Sequence, residues 1–252
     1  MDTAKKKKRI KTAALLLLAL SLAAMLTVSL SLSYLVANRS KENVFVIGSV
    51  GLELIENGFP EDKQSRTLAP GDRVTKQPCV MNTGSNAEYV FISVTLPLYE
   101  VITVNDEHKL NETEKVRREI FNLLSTDTDK RTVSAPADFT VSDIGVLEYS
   151  SSYELVRADE DLEKNTHTYY FGYKKLLQPT NTPTEKLFEE LQLRSLLEGE
   201  VPADAENTVT VTAYGIQSDE LPDELMPADK NVPSVDELSA ILAVYMRQEV
   251  QL

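Results

Sequence analysis

The side chains that most often carry chemistry are few in this chain. It contains two histidines, His108 and His167, a single cysteine, Cys79, and no tryptophan. Zinc sites and Cys/His nucleophile pairs need several such residues, and no HExxH motif occurs. We therefore predict no catalytic residue, no metal and no cofactor. We expect His108 in a charged loop, His167 solvated or at a strand edge, and Cys79 buried in a strand.

Acidic residues are numerous, and their spacing is irregular. The formal net charge is -13, although the segment from Met1 to Ser33 holds six basic side chains and one acid. Asp127, Asp129, Asp143 and the acids near 159–163 lack the alternating oxygens and central glycine of a calcium loop. Two interpretations of these acidic loops therefore remain: their carboxylates bind a calcium ion, or they are solvated and bind none. The acidic body repels phosphate backbones, which excludes nucleic acid as a partner.

The segment from Met1 to Ser33 has the pattern of an export signal. Basic residues precede an uncharged, Leu- and Ala-rich stretch from Thr12 to Ala37, which is long enough to span a bilayer. Ser31 and Ser33 supply small side chains in the third and first positions before a cut at Tyr34, where signal peptidase would recognise them. Cleavage and retention as a membrane anchor both place the body outside the cell.

The body of the chain, residues 34–218, contains short candidate strands that are separated by turns rich in Pro, Gly and Asn. Residues Tyr89 to Leu98 and Asn207 to Gln217 alternate between two faces, which is typical of half-buried antiparallel strands. Residues 38–43 are expected to form a polar linker, and Val44 to Leu54 one or two strands. The pattern predicts a mainly β fold, an antiparallel β-sandwich.

Helical spacing occurs in two places. Val116, Ile120, Leu123 and Leu124 predict a surface helix inserted near 111–125. Residues 219–252 are expected to form an acidic, proline-rich loop followed by an amphipathic helix. A capping box at Ser234–Glu237 and a stripe of spaced apolar residues support that helix. The stripe is Val235, Leu238, Ile241, Leu242 and Tyr245.

Several short motifs occur in an order that resembles a known family. An aromatic and a glycine in the first strand are followed by a Leu-x-Pro-Gly-Asp turn, an Asn-x-Gly turn, a Tyr-Val strand and a late Thr/Val strand. These are Phe45 and Gly48, Leu68 with Pro70, Gly71 and Asp72, Asn82 with Gly84, Tyr89 with Val90, and Val209 to Gln217. Together with the leader, they resemble the TasA/camelysin family of exported proteins with a SipW-dependent-type signal peptide.

The resemblance implies a non-enzymatic structural protein of the Gram-positive cell surface or biofilm matrix, with a jelly-roll-like sandwich. Partners would be other copies or other matrix and surface proteins, besides signal peptidase during export. Assembly would use an N-terminal donor strand that pairs with the next copy. The candidate donor residues are Val44, Phe45, Val46, Ile47, Val50, Leu52 and Leu54. Pairing of this strand within its own chain, and a monomeric adhesin or ligand-binding sandwich, remain alternatives. A camelysin-like metallopeptidase is a remote one.

Overall fold

Fourteen strands, two short 3-10 helices and one α-helix make up the part of the chain that the computed structural model describes. That part comprises residues 35–43, 51–58, 66–105, 109–111, 113–133, 145–180, 182–197 and 206–249. The early strands are β1 (Leu35–Asn43), β2 (Leu52–Asn57), β3 (Arg66–Leu68), β4 (Arg73–Thr75), β5 (Gln77–Asn82), β6 (Glu88–Val101) and β7 (Val116–Glu119). The later elements are β8 (Phe121–Leu124), β9 (Arg131–Val133), β10 (Leu147–Tyr149), β11 (Tyr153–Asp161), β12 (Thr166–Tyr173), β13 (Glu190–Leu193), β14 (Glu206–Gln217), the 3-10 helices Ser218–Glu220 and Asp223–Leu225, and α1 (Val235–Glu249).

The strands form three sheets that share one core, as the predicted β-sandwich requires. Seven strands make the largest sheet, in the order β11-β12-β6-β14-β1-β3 with β7 paired to β6. Five make the second, β4-β13-β8-β10-β9, and β2 and β5 form the third. One apolar cluster joins Val90 and Ile92 of β6 to Leu54 of β2 and to Phe121 and Leu123 of β8. Face-to-face packing of this kind buries the apolar side of each sheet.

The outer face of the seven-stranded sheet has its own, smaller cluster. Along β6 the side chains alternate, so that Val90 and Ile92 enter the main core while Tyr89 and Phe91 point to the opposite face. Helix α1 covers this second set with Leu238 and Leu242, both fully buried. The predicted terminal helix is confirmed, and it docks on the sandwich.

Two local signals in the sequence correspond to observed structure: the capping box that begins α1 and the Pro-Gly pair of one tight turn. The Glu237 carboxylate accepts from the Ser234 N–H at 2.7 Å, as in a capping box. At the turn Ala69 to Asp72, the Asp72 N–H donates to the Ala69 carbonyl at 2.9 Å, and Gly71 has a φ of +89°. Proline followed by a glycine in the left-handed region is the type II signature.

The predicted helix near 111–125 is wrong. Residues Val116–Glu119 and Phe121–Leu124 are strands β7 and β8, separated by a bend at Ile120. The apolar residues have helical spacing, but β-branched and aromatic residues pack equally well on pleated sheets. Ile120, Phe121 and Leu123 are fully buried on the strands, and Glu119 is buried beside them. Tertiary contacts of these side chains decide the outcome.

The N-terminal part of the body also differs from the prediction. Residues Leu35–Asn43 form β1, so the stretch 38–43 is strand and no linker. Within the predicted strand Val44 to Leu54, Leu52 and Leu54 are buried in β2, which pairs antiparallel with β5 of the same chain. Val44, Phe45, Val46, Ile47 and Val50 lie outside the described residues.

Candidate functional site

The pairing edge of β14 is the first candidate, because the first described strand of the chain fills it. Strand β1 runs parallel to β14 from Val36, opposite Glu206, to Asn43, opposite Ala213. On its other side β1 pairs antiparallel with β3, from Leu35 opposite Leu68 to Ala37 opposite Arg66. Within the described residues, the pairing of β1 with β14 is the one parallel pairing of the seven-stranded sheet.

The two strands at this edge differ in sequence. In β14, Val209, Val211 and Ala213 are buried in the main core and alternate with threonines, so side-chain burial fixes its register. In β1, by contrast, apolar residues occur only at the start, in the sequence LVANRSKEN. A polar strand gains little from hydrophobic burial, and its main-chain hydrogen bonds carry most of the pairing. Parallel pairing is also slightly weaker per residue than antiparallel pairing.

A buried polar cluster is the second candidate, and sequence reasoning missed it. The Glu119 carboxylate accepts hydrogen bonds from the Tyr169 hydroxyl, from the Gly145 N–H at 2.7 Å and from His167 Nδ1 at 2.7 Å. On the far side of the ring, Nε2 of His167 lies 3.9 Å from the Glu160 carboxylate. His167 is therefore on β12, as its strand context indicated, but the expectation that it is solvated or at an exposed edge is wrong.

Electrostatics keep the Tyr169 phenol of this cluster protonated. Burial, together with the neighbouring Glu119 carboxylate, raises the pKa of Tyr169 well above its usual range, so the phenol stays protonated and donates. An acceptor with three donors is the satisfied state for a buried carboxylate. Glu119, His167 and Tyr169 are each at most 1% exposed. The histidine and the carboxylate have the geometry of an acid–base pair, but solvent does not reach them. The role that remains is structural: the hydrogen bonds of Glu119 link β7 to β12 and to the segment before β10.

A buried ion pair joins two further elements. The Lys76 ammonium lies 2.6 Å from the Glu56 carboxylate, and both side chains are almost fully excluded from solvent. Glu56 belongs to β2, while Lys76 connects β4 to β5, and its N–H donates to the Glu189 carbonyl at 2.9 Å. Ion pairs of this kind are costly to break, because the surviving partner remains a buried charge.

A buried carboxylate at the start of β6 has a different environment. Glu88 is 0% exposed, and neither of its carboxyl oxygens has a hydrogen-bond partner. It stands opposite Gln217 of β14, whose amide nitrogen is likewise unpartnered. Burial raises the pKa of Glu88 to about 7, which favours the neutral form.

The remaining sequence-based expectations have mixed outcomes. Ser31, Ser33, Tyr34 and His108 lie outside the described residues. Cys79 is buried in β5 as predicted, and burial raises the pKa of its thiol. Among the residues that the structure describes, no three His, Cys, Asp or Glu side chains gather closely enough to hold a metal ion. In the same part of the chain, no helix combines the length and apolar character that crossing a bilayer requires.

Comparison with known proteins returned no family model, no curated protein and no solved structure that matches this chain.

Proposed function

We propose that this chain is an exported, non-enzymatic structural protein of the cell surface or extracellular matrix, whose copies associate by exchanging β1. The observation that supports it is the position of this strand. Strand β1 is the first described element of the chain, and it lies between β14 and β3 of the largest sheet. If β1 leaves, it exposes the unpaired edge of β14, and an equivalent strand from another copy fits that edge.

Exchange of β1 is balanced in free energy. The main-chain hydrogen bonds that β1 makes to its own β14 are the same ones that it would make to the β14 of another copy. Its polar sequence leaves little hydrophobic burial to lose during the exchange. Swapping an identical element between copies is a low-cost route to association for this reason.

Each copy would carry one donor strand and one acceptor edge. Such an interface is heterologous, because the donated and accepting surfaces differ. Heterologous contacts form a ring when the rotation closes and a filament when it does not. The donor is β1, Leu35–Asn43, in place of the segment Val44 to Leu54 that the sequence favoured, since Leu52 and Leu54 are buried against β5.

A reversible tether tests this assembly. Ser40 of β1 stands opposite Thr210 of β14, and neighbouring strands lie about 4.8 Å apart, within the range of a disulfide. In a Cys79→Ala background, the pair Ser40→Cys and Thr210→Cys should lock β1 to its own chain when oxidised in dilute solution. We expect light scattering to show monomers that persist when the oxidised protein is concentrated, and growth into larger species once the bond is reduced.

The matched control pairs Ser40→Cys with Thr168→Cys. Thr168 lies in the same cross-strand row as Thr210 but on β12, with β6 between, so no tether forms and oxidation should leave growth unchanged. Equal growth of the tethered protein before and after reduction would refute exchange of β1. A wild-type chain that remains monomeric at every concentration would also refute it, and would favour the monomeric binding module.

The proposal of export has its own test. Its support is the run of basic residues and the uncharged stretch that follows them between Met1 and Ser33. Intact mass of the protein released by an expressing Gram-positive host should correspond to a chain that begins at Tyr34. Recovery of the full-length chain from the cytosol would contradict export, whatever the outcome of the tether experiment.

A further inference from the structure

The outer face of the seven-stranded sheet holds a cleft of about 480 Å³ beyond the part that α1 covers. Threonines from three adjacent strands form its floor: Thr166 of β12, Thr95 of β6, and Thr208 and Thr210 of β14. The register aligns them, because Thr210 stands opposite Thr95 and Thr95 opposite Thr168, while Thr166 stands opposite Pro97. Hydroxyl groups therefore recur at the strand spacing in one direction and at every second residue in the other.

The walls of the cleft combine an aromatic ring with a fixed hairpin. Tyr99 lines it together with Pro97, and its ring also packs against the main core. In the turn between β11 and β12, Asn165 has a φ of 53°, and its carbonyl accepts from the Leu98 N–H at 2.8 Å. This bond holds the β11–β12 turn against β6, so the rim is in place before any ligand arrives. Pre-organisation of this kind lowers the entropic cost of binding.

The charges of the lining cancel. Glu100 and Lys164 are its one carboxylate and one ammonium. Lys164 is already 3.3 Å from the Asp161 carboxylate, and Glu100 stands opposite Arg117 of β7. The cleft consequently offers neither the clustered cations that phosphate or sulfate groups need nor the strong negative field that a cationic ligand needs.

The hydrogen-bonding groups of the cleft select one ligand chemistry. The main chain at Thr95, Thr166 and Thr210 is paired on both sides with neighbouring strands, so recognition at these residues relies on side chains. Threonine and tyrosine hydroxyls both donate and accept, as sugar hydroxyls do. An extended peptide would lack the main-chain ladder that normally pairs its amides. Burial raises the pKa of Tyr99, so its hydroxyl keeps its proton.

We infer that this cleft binds a neutral oligosaccharide, with the half-buried Tyr99 against the apolar face of a sugar and the threonine hydroxyls bonded to its hydroxyl groups. Its volume is in the range of small-molecule sites, roughly 300–1,000 Å³. The cleft borders β1, because Thr208 and Thr210 stand opposite Asn38 and Ser40, but sugar binding is measured separately from strand exchange.

Binding of defined sugars to the full chain tests the inference. The chain is purified in a detergent without a sugar headgroup, and calorimetry is run with cellohexaose, chitohexaose and maltohexaose. We expect saturable binding of at least one of them. The affinity should weaken about tenfold or more in both Tyr99→Ala and Thr166→Val, which corresponds to a loss of about 1.4 kcal/mol or more.

Thr212→Val is the matched control, because Thr212 lies on the same strand and face as Thr210 but outside the lining. It should bind like the wild type. Thermal unfolding of each variant shows whether the fold is retained, and Thr166→Val, a change of similar shape, covers the case in which Tyr99→Ala unfolds. No binding by any of the three sugars, unchanged binding in both cleft variants, or preference for a polyanionic glycan such as a hyaluronan hexasaccharide would overturn the assignment.

Discussion

The two ends of one sheet face differ in what covers them. At one end, Tyr89, Phe91 and Tyr170 lie under α1 and pack with Leu238 and Leu242. At the other end, threonines occupy the same face of the same three strands and leave a cleft open. Strand β6 contributes to both, since Phe91 belongs to the covered end and Thr95 to the open one. Stability should therefore depend on the covered end and ligand binding on the open end.

This division follows from side-chain chemistry. Exposing large aromatic rings to water raises the free energy of the folded state, and the amphipathic helix prevents this by covering them. Threonines favour strands, and their hydroxyls can bond to solvent or to one another. The hydroxyls of Thr95 and Thr168 lie 3.0 Å apart and satisfy each other. A sheet built this way can leave part of a face open, because hydroxyl groups cover part of the surface that apolar side chains would otherwise expose.

Removing an apolar side chain from α1 should give the largest change. Leu242 is fully buried in the cluster under the helix, and Leu242→Ala should lower the free energy of unfolding by about 2–5 kcal/mol. Chemical denaturation measures it. Val235→Ala on the same helix is the control, because Val235 is 41% exposed. An equal effect of the two substitutions would show that α1 is not what stabilises this end.

The next effect is a pH dependence of stability. It arises from Glu88 at the start of β6, whose side chain lies on the face of the sheet opposite to α1. Glu88 has a pKa raised by burial from 4.5 to about 7, so the folded state binds more protons than the unfolded state between these values. The free energy of unfolding should therefore fall as pH rises through that interval, by up to about 3 kcal/mol, and then level off. Glu88→Gln, which stays neutral, should lack this component.

Denaturation curves at several pH values between about 4.5 and 8 would measure this component. The difference in free energy of unfolding between the wild type and Glu88→Gln should grow as the pH rises. The variant should be the more stable protein at the upper end of the range. Parallel pH profiles for the two proteins would show that the Glu88 carboxyl is not held neutral in the fold.

A smaller change is expected where the helix meets the sheet. A Cβ at Gly172 would lie 3.1 Å from Leu238 Cδ1 and 3.2 Å from Phe91 Cε1, so Gly172→Ala should cost about 1–3 kcal/mol of stability. In the double variant with Leu238→Ala, the closest of these contacts is removed, and the combined loss should be less than the sum of the single losses. Strict additivity would mean that the helix does not approach the sheet at this point.

The smallest change is expected at the open end. Thr210 is half-buried in the lining of the cleft, and Thr210→Val should alter the free energy of unfolding by no more than about 0.5 kcal/mol, as surface substitutions usually do. The same denaturation assay applies. A loss comparable to that of Leu242→Ala would erase the distinction between the two ends.

The sequence predicted the elements whose pattern is local. Strand β6 alternates over Tyr89 to Leu98, β14 alternates between threonines and apolar residues, and α1 begins at a capping box, so each carries its own periodicity and end signals. The prediction for residues 111–125 was wrong because Ile120 and Leu123 fit helical spacing. The segment instead forms β7 and β8, whose buried side chains pack against the core.

Long-range pairings escaped prediction. Strand β1 is polar, and it is a strand because β14, near the other end of the chain, offers it an edge. The cluster of Glu119, His167 and Tyr169 depends in the same way on β6, which pairs with both β7 and β12. The sequence gives no clear signal of this cluster, because Glu119 directly follows Arg117 and Arg118 and therefore resembles part of a solvated charged run. The threonines of β14 are recognisable as strand formers, but only the register reveals the rows across the sheet.

The central claim, exchange of β1 between copies, is tested most directly by mixing two single-cysteine proteins. Both carry Cys79→Ala; one has Ser40→Cys on β1, the other Thr210→Cys on β14, which stand opposite each other in the register. Co-assembly followed by oxidation should give a disulfide-linked heterodimer on a non-reducing gel, and a partner with Thr168→Cys on β12 should give none. Absence of the Ser40–Thr210 link in assembled material, or an equal yield with Thr168→Cys, would contradict the account.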